Sequence, residues 1–147
     1  MNTIFNPAIL AQVTERIHAL SAGDVPRWGT MYVDQMLRHC CMNEEMLLGK
    51  KHYPRLFIGR LFGPATRRKM LKDDAPLGHN KPTHPELKIR ERGDVETLKS
   101  EWIALLKAYE TLGAKGLVHP FFGPLTREDI GRVAYKHIDH HLRQFGK

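Results

Sequence analysis

The 147-residue chain is long enough to bury a core as one domain spanning residues 1–147, and its 41% hydrophobic and 27% charged residues exclude a disordered polypeptide. No apolar run approaches the roughly 20 residues that cross a membrane. The formal charge of +7 is local: Lys50 to Arg92 holds twelve Lys or Arg against four Asp or Glu, and the rest of the chain nearly cancels, with eleven against twelve. The start MNTIFNPAILAQV carries neither a basic leader nor a small-residue cleavage site. The two cysteines, Cys40 and Cys41, are neighbours and unsuited to a structural disulfide. A cytoplasmic protein is expected.

The first helix opens at Asn6-Pro7, a capping residue followed by the proline favoured at the first helical position. Leu10, Val13, Ile17 and Leu20 follow at steps of three and four. The second helix is expected to begin after Thr30 as N-cap and to stop at Gly49. A link of more than forty residues comes next, carrying the basic surplus and Pro54, Gly59, Gly63, Pro64, Pro76, Gly78, Pro82 and Pro85. These breakers argue against long regular helix, although RLFIGR and PATRRKMLK suit short ones. Within the link FGPATR (Phe62–Arg67) echoes FGPLTR (Phe122–Arg127), and both read as a turn leading into a threonine-capped helix start.

The third helix follows Asp94 and places Val95, Leu98, Trp102, Leu105, Tyr109 and Leu112 on one stripe, ending at Gly113. The fourth starts at Thr126, with Glu128 and Asp129 in the first turn, where the helix dipole favours acids. No run of strict two-residue alternation predicts a strand. The fold class expected is therefore all-α, a four-helix bundle with a long crossover between helices two and three.

The last helix holds three histidines in YKHIDHHLRQFGK. At about 100° per residue, His137 and His141 fall within about 40° of each other, inside the apolar arc of Ile130, Val133, Ala134, Ile138 and Leu142. His140 lies at the margin of that arc, and Lys136, Asp139, Arg132 and Arg143 lie opposite it. On helix two, His39 centres the face shared by Tyr32, Met36, Asn43 and Leu47, with Asp34, Arg38, Cys41 and Glu45 on the far side. Cys40 reads as a small core residue. Two imidazoles at i and i+4 can converge on one ion, and His39 supplies a third. Three neutral imidazoles leave open coordination positions, as a catalytic metal site requires. A buried hydrogen-bond network, or a degenerate site that has lost its ion, is the alternative at this point. His52, His79, His84 and His119 fall in loops, with His119 placed to approach the site.

The combination of His39 with His137 and His141 resembles the DinB/YfiT-like metalloenzymes. The stretches PRWGTMYVDQMLRHC and HPFFGPLTREDIGRVAYKHIDHHLRQFG look like one branch of unknown function, and Gln144, three residues past the last histidine, fits that pattern. The resemblance implies a four-helix bundle holding a divalent ion, often zinc or nickel, on three histidines. It also implies thiol-dependent transferase or hydrolase-like chemistry, with a low-molecular-weight thiol as a further cofactor. No Asp or Glu falls on the inward faces of helices two and four, so no protein general base is evident. Tyr32, Asn43, His140 and Gln144 are the residues expected to orient a small-molecule substrate or support the ligands. The basic link offers Arg55, Arg60, Arg67 and Arg68 as a collar for an anionic substrate. Its other reading is a non-catalytic anion or nucleic-acid module, although no groove-entering motif accompanies the charge. Pairing of bundle faces into a homodimer is a third.

Overall fold

The computed structural model of the chain describes residues 1–79 and 84–147. Lys81 and Pro82 of the basic link thus lie outside the described residues. The described residues contain five α-helices and one two-stranded ribbon. Helix α1 runs from Pro7 to His18, with the Asn6 side chain accepting from the Ala8 N–H at 2.9 Å. Helix α2, Val33–Leu47, starts later than Thr30 predicts: Tyr32 is its N-cap, and the Gln35 side chain accepts from the Tyr32 N–H at 3.1 Å. It stops as expected near Gly49, which has φ +71.

Helix α4, Val95–Lys107, is capped by Asp94, which accepts from the Thr97 N–H at 2.8 Å. It tightens into a 3-10 turn at Ala108–Thr111 before reaching Gly113. Helix α5, Arg127–Gln144, begins with a reciprocal capping box, in which the Thr126 hydroxyl accepts from the Asp129 N–H and Asp129 accepts from the Thr126 N–H, both at 3.1 Å. A cap of this kind is worth about 1 kcal/mol.

The basic link departs most from its sequence reading. One continuous helix, α3 (Phe57–Met70), runs straight through Pro64 where two short helices were expected. Its Gly59 and Gly63 lie one turn apart against the loop around Phe121: a Cβ at Gly59 would sit 2.7 Å from the Phe121 Cα, and one at Gly63 would overlap the Phe121 carbonyl oxygen. The Leu56 N–H donates to the Pro120 carbonyl at 3.1 Å, and the Arg67 guanidinium donates to the Pro124 carbonyl. These tertiary contacts at both ends outweigh the hydrogen bond lost at Pro64.

The two strands, β1 (Leu117–His119) and β2 (Gly123–Leu125), pair antiparallel with Val118 opposite Pro124. They correct the expectation of no strand, because three residues are too few to show an alternation. Gly123 takes φ +81, a conformation in which a Cβ is costly. Of the two FGP stretches, the second leads into the expected threonine-capped helix start, although its Gly123–Leu125 is strand β2, and the first lies inside α3.

Helix α2 packs along α4 and against α5, and α1 closes the far side by touching α4 and α5. Val13, Ile17, Met36, Leu37, Cys40, Trp102, Leu106, Ile138 and Leu142 form the centre of the core. α2 is buried nearly all round, so its far side is not a solvated face: Asp34 and Cys41 are both buried, Asp34 bonded to Arg92 at 2.7 Å and Cys41 against the Leu98 carbonyl. The polar side of α5 is likewise covered. Lys136 donates to the carbonyls of Met70 and Ala75 at 2.8 and 2.9 Å, tying the end of α3 to α5, and Asp139 pairs with Arg16 at 2.9 Å. Among the described residues no helix is long and apolar enough to cross a membrane.

Candidate metal centre

α2 and α5 bring His39, His137 and His141 together, with one ring nitrogen from each within 4.8 Å of the others. The closest pair is His39 Nε2 and His137 Nε2, at 3.1 Å. His39 and His141 are buried, and His137 is partly open. The other nitrogen of each buried ring fixes its tautomer. His39 Nδ1 lies 3.0 Å from the Leu87 carbonyl oxygen, which can only accept, so Nδ1 carries the hydrogen and Nε2 presents a lone pair. The Gln144 amide nitrogen donates to the Trp28 carbonyl at 2.8 Å, which turns Gln144 Oε1 toward His141 Nδ1 at 2.9 Å. His141 Nδ1–H therefore donates, and its Nε2 is also a lone pair.

This arrangement leaves a polar conflict that a cation resolves. His39 Nε2 cannot donate to His137 Nε2, and if His137 donates instead, its own Nδ1 becomes a buried acceptor with no partner among the described residues. A tetrahedral site with nitrogen ligands at about 2.0–2.1 Å separates its ligand atoms by roughly 3.3 Å, close to the shortest spacing in the cluster. Three imidazole nitrogens also suit a borderline divalent ion, and backbone or amide partners behind the ligands are the usual support of such a site.

The rings are held neutral, the state that binds an ion. Burial, opposed by the Leu87 carbonyl, lowers the pKa of His39. Burial and then the neighbouring His39 push His141 down to about 3. His137 is held well below the ordinary value by burial, followed by His141, His39, His140 and His119.

The supporting residues expected from sequence are distributed unequally. Gln144 buttresses His141 directly. His140 packs its ring 5.1 Å from His141 and 5.5 Å from Trp28, which in turn stacks on His79 at 3.8 Å. Burial is also the main cause of its lowered pKa. Asn43 is buried one turn past His39, and its Nδ2 finds no partner among the described residues. Tyr32 precedes the helix, so the wheel that placed it beside His39 does not apply. The residue is 57% exposed, and its ring lies beneath the Arg92 guanidinium at 4.2 Å. Of the arginines read as a collar, Arg67 holds the Pro124 carbonyl and faces Asp129 at 3.9 Å.

Three features escaped the sequence reading. Leu87, in the 3-10 turn Pro85–Leu87, orients His39 through its carbonyl, which no side-chain pattern reveals. Trp28 orients Gln144 in the same way. Glu44 is fully buried on α2, where the Tyr109 hydroxyl donates to it, and burial pushes its carboxyl up to about 7. It corrects the expectation that no Asp or Glu of helix two faces inward, since α2 is buried nearly all round. Cys40 and Cys41 are buried free thiols, and burial pushes both up, Cys40 well above its usual range.

No curated protein and no solved structure matches the chain. The family matched over residues 6–147 is described as a protein of unknown function (DUF1569). The chain belongs to the DUF1569 family.

Proposed function

We infer that the protein binds a divalent metal ion at His39, His137 and His141 and acts as a metal-dependent enzyme of the DinB type. The observation that carries this reading is the convergence of lone pairs, with Leu87 and Gln144 each taking the hydrogen from the far side of a ligand ring. The closed circuit of α1, α4, α2 and α5 supports a DinB-like four-helix bundle, with α3 and the 3-10 turn carried on the crossover. Zinc or nickel is the ion that three imidazoles favour. When bound, it supplies Lewis acidity toward a water or a low-molecular-weight thiol at an open position.

The chain's own contribution is to keep the three rings neutral and fixed. His140 packs against the His141 ring, and Trp28 with its stacked His79 packs against His140 in turn. Tyr109 engages Glu44 and Arg92 engages Asp34, so the two buried carboxylates of α2 serve packing and leave proton transfer to water or substrate. Thermal unfolding tests the reading. Zinc or nickel raises Tm of the chelator-treated protein, since the folded state binds the ion better than the unfolded chain does. A transition unmoved by zinc, nickel and chelator alike contradicts it.

A further inference from the structure

A second polar cluster lies beside the hairpin, and it is built in the opposite sense to the first. Tyr53 and Arg55 stand two residues apart in the segment leading into α3, held by the Leu56 N–H on the Pro120 carbonyl. The Arg55 guanidinium lies 3.4 Å from where a Cβ on Gly123 would be, and Gly123 pairs with His119 across the ribbon. The rings of Tyr53 and His84 have centroids 5.3 Å apart. His119 feels both His84 and Arg55, which after burial are the causes that push it down to about 4.

The polar atoms of this cluster are donors. His84 Nδ1 accepts from the Glu86 N–H at 3.2 Å, so its hydrogen sits on Nε2. His119 Nδ1 accepts from the N–H groups of Phe121 and Phe122, both at 3.1 Å, which again leaves the hydrogen on Nε2. Tyr53, His84 and His119 are each more than nine-tenths buried. Tyr53 Oη, His84 Nε2 and Arg55 Nε have no hydrogen-bond partner among the described residues. Nor does Arg55 make an ion pair among them. Only the tyrosine hydroxyl can accept, so the group cannot satisfy itself, and a buried donor or cation left unpaired is costly. What the cluster lacks is an acceptor with negative charge.

We propose that Tyr53, Arg55, His84 and His119 form a binding site for the oxyanion group, carboxylate or phosphate, of a small-molecule substrate. Arginine suits such a group because its fork donates two parallel hydrogen bonds. The site adjoins the three histidines: His84 caps the 3-10 turn whose Leu87 carbonyl orients His39, and His119 is near enough to be among the groups that lower the pKa of His137. An oxyanion held here places the rest of its molecule toward the candidate metal centre. That placement rests on the metal reading, but the anion site itself does not.

Inorganic phosphate is the probe, titrated at constant ionic strength into the full chain while the histidine ring nitrogens are followed by NMR. Phosphate shifts the Nε2 signals of His84 and His119, and Arg55→Gln weakens binding about tenfold or more, as expected for a charge-assisted contact. Arg55→Lys falls between the two, and Lys107→Gln, an exposed control at the end of α4, binds as the parent does. The same titration on His137→Ala separates the two readings: anion binding persists there, and metal content persists in Arg55→Gln. Unmoved His84 and His119 signals, or equal affinity in Arg55→Gln and the parent, overturn the proposal. Tyr53→Phe, which keeps the ring packing, is the check against misfolding and loses a smaller share of the affinity.

Discussion

The two histidine clusters use the same side chain to opposite ends. In the first, His39 and His141 give their Nδ1 hydrogens to acceptors, the Leu87 carbonyl and Gln144, and so turn lone pairs inward. In the second, His84 and His119 receive backbone N–H groups at Nδ1 and so turn hydrogens inward. One cluster is thereby suited to a cation and the other to an anion, at the same pH and with the same residue. The lesson is that the ligand a histidine selects is set by what stands behind the ring.

Acid tests the shared part of the comparison and carries the largest expected effect. An imidazole released by unfolding takes its proton near 6.5, whereas in the fold His141 waits until about 3 and His119 until about 4. Between those values the unfolded chain binds more protons. Stability of the metal-free protein is therefore complete above about pH 6.5 and falls as pH falls, by up to about 1.4 kcal/mol per pH unit for each group. Glu44 runs the other way: its raised value adds stability that is present below 4.5 and lost as pH rises through about 7. Glu44→Gln removes that offset, so denaturant titrations between pH 7 and 5 show a steeper acid loss in this variant. Zinc protects only chains that keep His137.

A narrower break is Gln144→Leu, which removes the acceptor behind His141 while leaving all three ligands. Metal affinity falls about 10- to 100-fold by competition with a chelating dye, the usual effect of losing such a partner. Gln144→Glu, still an acceptor, retains tight binding. If both variants bind like the parent, the tautomer of His141 is not set by Gln144. The smallest effect belongs to the second cluster. Tyr53→Phe deletes a buried hydroxyl that has no partner among the described residues, so the anion-free protein is unchanged or gains up to about 1 kcal/mol in chemical denaturation. A loss of more than that shows the hydroxyl to be satisfied in solution.

Helix phase was the most legible part of the sequence, because burial follows a 3.6-residue period and caps have a chemical signature. Asn6, Asp94 and Thr126 cap where they were expected, and the wheel that turned His39, His137 and His141 inward matches their convergence. The wheel failed where residues leave the helix or where a polar face is covered, as with Tyr32 at the N-cap and Lys136 under the end of α3. FGPATR and FGPLTR show why the link was harder. They differ at one position, yet Leu125 is buried in a strand and Ala65 is an exposed turn of helix. What separates them is tertiary: Gly63 rests on the Phe121 carbonyl, and Arg67 of the first stretch donates to Pro124 of the second. The carbonyls of Leu87 and Trp28, which orient the ligand side, belong to backbone that residue identity does not locate.

Metal content of purified protein, prepared without a histidine tag and measured by elemental analysis, tests the central claim most directly. About one divalent ion per chain is expected in the parent, with clear loss in His39→Ala, His137→Ala and His141→Ala and near-parental content in His140→Ala. A parent that neither carries nor takes up zinc or nickel, or a His140→Ala variant that loses as much metal as the other three, contradicts the account.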